Sequence, residues 1–218
     1  MKRYFKNKKL LERNNVYSKD MEHDACGVGL VASTEGKKSR KVVEYGIQAL
    51  KAVWHRGAVD ADGKTGDGAG IHVEIPREFF KEKIEVTGHL YDNSEICIGM
   101  IFLPRNNYEA QESCRTLVEK ELTQNDFNIY GWRQVPVNTK VLGEKAEQTR
   151  PEITQVLFRH NNQKLLGKAL EIKLYETRRK IENNVRQNHL DNFYICSFSS
   201  KSIIYKGMFL AEALADFY

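Results

Sequence analysis

No window of the sequence approaches the roughly 18 uninterrupted apolar residues that a membrane-spanning helix needs, so transmembrane-helix proteins are excluded. Cysteine is scarce and scattered: Cys26, Cys97, Cys114 and Cys196 stand far apart, with no C-x-x-C pair. Neither a zinc knuckle nor a dense disulfide framework is signalled, which fits a reducing compartment. No internal repeat, low-complexity tract or linker divides the chain. A basic stripe with interleaved aromatics, as nucleic-acid binding requires, is missing too. The formal net charge is +5, but residues 1–25 hold seven basic and four acidic side chains and so carry +3 of it. That excess sits on a short polar leader, which lacks the apolar stretch of a secretory signal and is rich in acids for a transit peptide. What is present is 218 residues, 41% apolar and 29% charged, ample for a core without disulfides or metals.

From Cys26 onward the pattern is that of a packed domain, read as one unit over 26–218. Residues 26–33 read as a short, buried, glycine-punctuated strand. Val43, Ile47, Leu50 and Trp54 recur at helical spacing and predict a helix over 40–54. A glycine-rich loop follows, then the alternation of Ile71, Val73 and Ile75 predicts a strand closed by Pro76. The run Ile96 to Leu103 is a second strand, stopped by Pro104. Ala110, Cys114, Leu117, Val118 and Leu122 mark an amphipathic helix in which Cys114 is core filler. Extended segments are expected at 129–137 and 153–158, and Leu166, Leu170, Leu174, Ile181 and Val185 predict a long charged helix. Residues 193–199 and 202–206 read as a β-hairpin, and 212–218 as the opening of a helix. Proline-ended strands and the hairpin favour antiparallel pairing, hence an α+β fold.

The loop from Arg56 to Gly70 invites two misreadings. Gly63-Lys64-Thr65 ends like a phosphate-binding P-loop, but five residues rather than four separate Gly57 from Gly63, and a strand follows where a helix belongs. Asp60-Ala61-Asp62 starts like a calcium loop, but Lys64 and Ile71 occupy ligand positions. A tight multi-glycine turn letting backbone approach backbone is the plain alternative. No metal or cofactor site is assigned within the segment.

Cys26 is the sharper feature. A lone cysteine entering an apolar strand is commonly an inert buried thiol. This one stands where the polar leader meets the folded pattern, and Gly27 and Gly29 leave room for a substrate against the backbone. Cleavage between Ala25 and Cys26 would release an α-amino group with a pKa of about 7.7–8.0, close enough to a thiol near 8.5 to act as its base. One residue would then supply both nucleophile and base.

Three runs carry a resemblance: residues 22–29 around Cys26, Trp54-His55-Arg56-Gly57-Ala58, and the loop from Ala61 to Gly70. They resemble the class II glutamine amidotransferase domain of glutamate synthases. Ile75-Pro76-Arg77-Glu78-Phe79-Phe80, Gly131-Trp132-Arg133-Gln134-Val135-Pro136-Val137 and the stretch from Phe193 to Tyr218 extend the likeness. The resemblance implies an N-terminal-nucleophile hydrolase, a four-layer αββα sandwich incomplete at its C-terminus, with residues 1–25 a removable leader. It implies that Cys26 attacks the side-chain amide of glutamine and releases ammonia for glutamate synthesis from 2-oxoglutarate. Arg56 and Gly57, with Gly27, would support the site; Arg56 alternatively forms an ion pair with a loop aspartate, and His55 packs or hydrogen-bonds. FMN and an iron–sulfur cluster are implied for the full-length enzyme only. Implied partners are glutamine, the remaining synthase domains and a small reductase subunit, in the cytoplasm or a plastid. The chain departs from the pattern in having no Asn-Gly dipeptide, the family's oxyanion-hole motif, whose place is expected beyond Tyr218 with the glutamine-gripping residues. Without it this segment alone is expected to be almost inactive, and the competing expectation is a non-catalytic amidotransferase-like binding domain or an inactive fragment.

Overall fold

The computed structural model describes residues 2–13, 27–53, 58–91 and 94–218. Helix α1 is Lys2–Arg13 and α2 is Arg40–Ala52, whose first turn is capped by the Ser39 hydroxyl accepting from the Lys41 N–H. Then come β1 (Ala69–Glu74), α3 (Arg77–Val86), β2 (Cys97–Leu103), α4 (Tyr108–Gln124), β3 (Phe127–Gln134), α5 (Glu144–Thr149) and β4 (Glu152–His160). The chain continues through α6 (Gly167–Gln187), β5 (Tyr194–Ser199), β6 (Ser202–Gly207) and α7 (Leu214–Phe217). Every pairing of these strands is antiparallel, in a four-stranded sheet of order β3-β4-β2-β5 and a two-stranded sheet of β1 and β6. The expected α+β class and antiparallel pairing are thus observed.

Period-two patterning sorts the four-stranded sheet into two cores. Cys97, Ile101 and Leu103 of β2, with Val156 and Phe158 of β4, face α4 and α6. There they meet Cys114, Val118, Leu122, Leu170, Leu174 and Ile181, so Cys114 is the core filler its helical spacing implies. Ile98 and Met100, with Ile153 and Leu157, face the other way, against Ile203 of β6, Phe80 and Ile84 of α3, and Phe209. Gly99 is required for this packing. A Cβ there would stand 2.7 Å from Val156 and 2.8 Å from the Phe198 ring. On the edge of the second core α2 contributes Leu50, and Gly46 lets it close on Ile71.

Two expectations need correction. Strands β5 and β6 do not form a hairpin: β5 pairs with β2, and β6 pairs with β1 in the other sheet. The Ser200 N–H and hydroxyl donate to the Glu171 carboxylate at 2.9 and 2.8 Å, and Arg77 donates to the Ser200 carbonyl at 3.1 Å. The polar groups of Ser200 are met from outside the turn, and the chain turns a corner between sheets. Residues 27–33, read as a buried strand, form none; Val28 and Leu30 are 89% and 92% exposed. An alternating run becomes a strand only where a neighbour takes its N–H and C=O groups, and no described strand runs beside this one. Helix α3, which the apolar periodicity alone does not single out, starts right after Pro76 and buries Phe80 and Ile84, an i, i+4 pair.

Candidate functional site

The glycine loop folds back on itself. Val59 and Gly66 form an antiparallel bridge, and the Asp60 N–H donates to the Thr65 carbonyl at 2.8 Å. Gly63 makes the reversal at φ +68°. Inside the turn the Asp62 carboxylate accepts from the N–H groups of Lys64 and Thr65 at 2.9 and 2.7 Å, and from the Thr65 hydroxyl at 2.6 Å. These bonds, the Thr65 hydroxyl foremost, hold the Asp62 carboxyl well below the usual aspartate range, so it stays ionised. The loop is clipped to α5. The Ala146 N–H donates to the Thr65 hydroxyl at 3.3 Å, and Lys145 pairs with Asp60 at 2.6 Å. Gly143 is the close approach that permits this, since a Cβ there would lie 2.2 Å from the Asp62 carboxylate.

This is the backbone-on-backbone turn of the plain alternative. Strand β1 follows it, and Asp62 spends its oxygens within its own turn, on two backbone N–H groups and the Thr65 hydroxyl. Beyond the turn, Gly70 lets β1 lie tight on β6, for a Cβ there would fall 2.9 Å from the Lys206 Cβ. A cleft of about 630 Å³ opens beside it, lined by Gly68, Gly70, Arg150, Lys206, Met208 and Phe209 among others. Arg150 is engaged by Glu147 at 2.9 Å, and Lys206 donates to the Tyr194 hydroxyl at 2.7 Å. Neither cation is foreseeable from the sequence, because segments remote along the chain bring them there.

Of the expected site residues, Cys26, Arg56 and Gly57 lie outside the described residues, as does His55. Gly27 is described; it is exposed and belongs to no strand. The other three cysteines are free thiols buried in the cores. Burial pushes Cys114 and Cys196 up to about 11 and raises Cys97 further. A thiol so shifted is a negligible nucleophile at neutral pH.

Comparison with known proteins adds what the geometry leaves open. A family profile for class-II glutamine amidotransferases matches residues 26–218. The glutamate synthase [NADPH] large chain of Azospirillum brasilense is 55% identical over 204 residues, covering 94% of this chain and 13% of that protein. Ferredoxin-dependent glutamate synthase 2 of Synechocystis sp. is 37% identical over 198 residues, covering 90% of this chain and 12% of its own length. The glutamate synthase [NADPH] large chain of Bacillus subtilis is 35% identical over 207 residues, covering 93% and 13%. The chain therefore spans about an eighth of these relatives. With the profile running from Cys26 through the glycine loop to the last residue, the chain belongs to the class-II glutamine amidotransferases.

Proposed function

We propose that this chain is the glutaminase portion of a glutamate synthase, with Cys26 as its nucleophile. The observation that carries the reading is the family match opening at Cys26, together with 55% identity to a glutamate synthase large chain. Removal of residues 1–25 frees the Cys26 amine. That amine takes the thiol proton, sulfur adds to the γ-carbonyl carbon of glutamine, and the amide nitrogen leaves as ammonia after receiving the proton. Water then hydrolyses the γ-glutamyl thioester, giving glutamate and the free thiol. Arg56 holds a thiolate or a substrate carboxylate by its fixed charge, with Gly57 and Gly27 giving the substrate close access to backbone. In other parts of the full-length enzyme the ammonia would condense with 2-oxoglutarate with loss of water, and a two-electron reduction, its electrons carried by the FMN and iron–sulfur groups, would give glutamate.

The helix pair α4/α6, the four-stranded sheet and the β1/β6 sheet correspond, in this reading, to the first layers of an αββα sandwich. FMN and an iron–sulfur cluster belong elsewhere in the full-length enzyme. A cluster takes several thiolates, whereas Cys196 lies in a different core from Cys97 and Cys114, and among the described residues no group of three potential ligands exists. No step of the glutaminase chemistry passes through either group. The remaining synthase domains and a small reductase subunit are the proposed partners, in the cytoplasm or a plastid. No helix among the described residues is long and apolar enough to cross a membrane.

A glutamine analogue bearing an electrophile in place of the amide tests the assignment. Incubated with the full-length enzyme at pH 7 and followed by peptide mass mapping, it is expected to modify Cys26 and to spare Cys97, Cys114 and Cys196. Labelling of a buried cysteine with Cys26 untouched would refute the reading.

A further inference from the structure

The run from Gly131 to Val137 contains a cation, Arg133, for which the glutaminase chemistry has no task. Among the described residues strand β3 pairs along one edge only, with β4, and its ladder slips between Ile129 and Gly131, where Gly131 takes φ +145°. Bulges re-aim the side chains that follow them. Past this one, Arg133 stands opposite Gln155 and donates from Nη1 to its Oε1 at 2.8 Å. Gln155 is fully buried, and its amide reaches the Tyr205 hydroxyl at 3.5 Å. The guanidinium is thus held from behind by a side chain whose position is fixed in mid-sheet. Its carbon lies 5.2 Å from the centre of the Phe79 ring, and Nζ of Lys83 lies 5.1 Å from the centre of the same ring.

Two half-buried cations share one aromatic ring, and among the described residues neither has a carboxylate within the 4.0 Å of an ion pair. Arg77, on the same helix as Phe79, is by contrast paired with Glu95. Partial burial lowers the Arg133 pKa, and the nearby Tyr205 opposes this without reversing it. Each charge lies within about 5 Å of one ring centre and is partly withdrawn from water, which is costly, and an anion that reaches both relieves both costs.

The geometry points to a binding site for a small free dicarboxylate at Arg133 and Lys83. The guanidinium fork, with Nη1 engaged by Gln155, takes one carboxylate through its remaining N–H groups, and the ammonium takes the second. A planar fork suits a carboxylate, and two separate cations suit two carboxylates joined by a short chain. The site rests on the proposed function in one respect: glutamate, the product of the glutaminase step, is such a molecule.

Glutarate, titrated calorimetrically into the full-length enzyme, is the test. Arg133→Met and Lys83→Met are each expected to weaken its affinity at the site at least tenfold, with Arg133→Lys intermediate. Lys83 is only half-buried, so its variant keeps the test informative if Arg133→Met fails to fold. Equal glutarate binding by wild type and Lys83→Met would overturn the site. So would binding of inorganic phosphate without glutarate, or no glutarate binding by the wild type. Cys26→Ser separates the two proposals, for it should remove glutaminase activity and leave glutarate binding intact.

Discussion

Cys26→Ser, introduced into the full-length enzyme, is expected to abolish glutamine-dependent glutamate formation while ammonia-dependent formation persists. Loss of the nucleophile in a comparable acyl-transfer enzyme costs on the order of 10⁶ in turnover, so residual glutaminase activity should fall below detection. Serine keeps nearly the same shape, but its hydroxyl is far less acidic than a thiol near pKa 8.5, and an amine of pKa about 8 deprotonates it poorly. The ammonia-dependent arm matters because it separates chemistry from folding. An enzyme that still uses free ammonia has kept its synthase domains intact. The three remaining cysteines offer no substitute, being buried thiols whose pKa values are driven upward by desolvation. Parallel steady-state assays with glutamine and with ammonium chloride read both arms.

The largest effect on stability is expected at Phe158. Its ring is fully buried between Phe127, edge-on at 5.3 Å, and Phe198, tilted at 4.9 Å, where β4 packs beneath α4 and α6. Phe158→Ala leaves a cavity that a sheet hydrogen-bonded on both sides cannot collapse into, since β4 is held by β2 and β3. A loss of about 3–5 kcal/mol follows. For a domain of this size each kcal/mol lowers Tm by about 2–4 °C, so a drop of roughly 10 °C is expected in a thermal melt. Tyr175→Ala on the solvent face of α6 serves as control, as Tyr175 is 63% exposed. Its effect should stay within about 0.5 kcal/mol.

The contrast between these positions shows what the sequence makes legible. Phe158 ends the apolar run Val156-Leu157-Phe158 of an expected extended segment, and Leu170, Leu174 and Ile181 lie on one helical face, so both elements are legible, although a strand buried on both faces shows no period of two. Pairing is another matter. The short turn at Ser200 looks like a hairpin until Glu171, 29 residues away, takes its N–H, a contact that no local pattern encodes. Helix α3 is not singled out by the apolar periodicity, and the pairing of its first residue Arg77 with Glu95 appears only in three dimensions. In the glycine loop the sequence excludes a P-loop by spacing, whereas the inward turn of Asp62 on Thr65 depends on Gly143, some 80 residues later. Arg133 is the extreme case: its motif is plain in the sequence, while Gln155, Phe79 and Lys83 gather around it only through the sheet and α3.

The proposed chemistry turns on the Cys26 nitrogen being an amine. Intact mass spectrometry of the purified, glutaminase-active full-length enzyme tests this directly. The predicted result is a polypeptide lacking residues 1–25 and beginning at Cys26. A fully active enzyme whose mass still includes the chain from Met1 would contradict it.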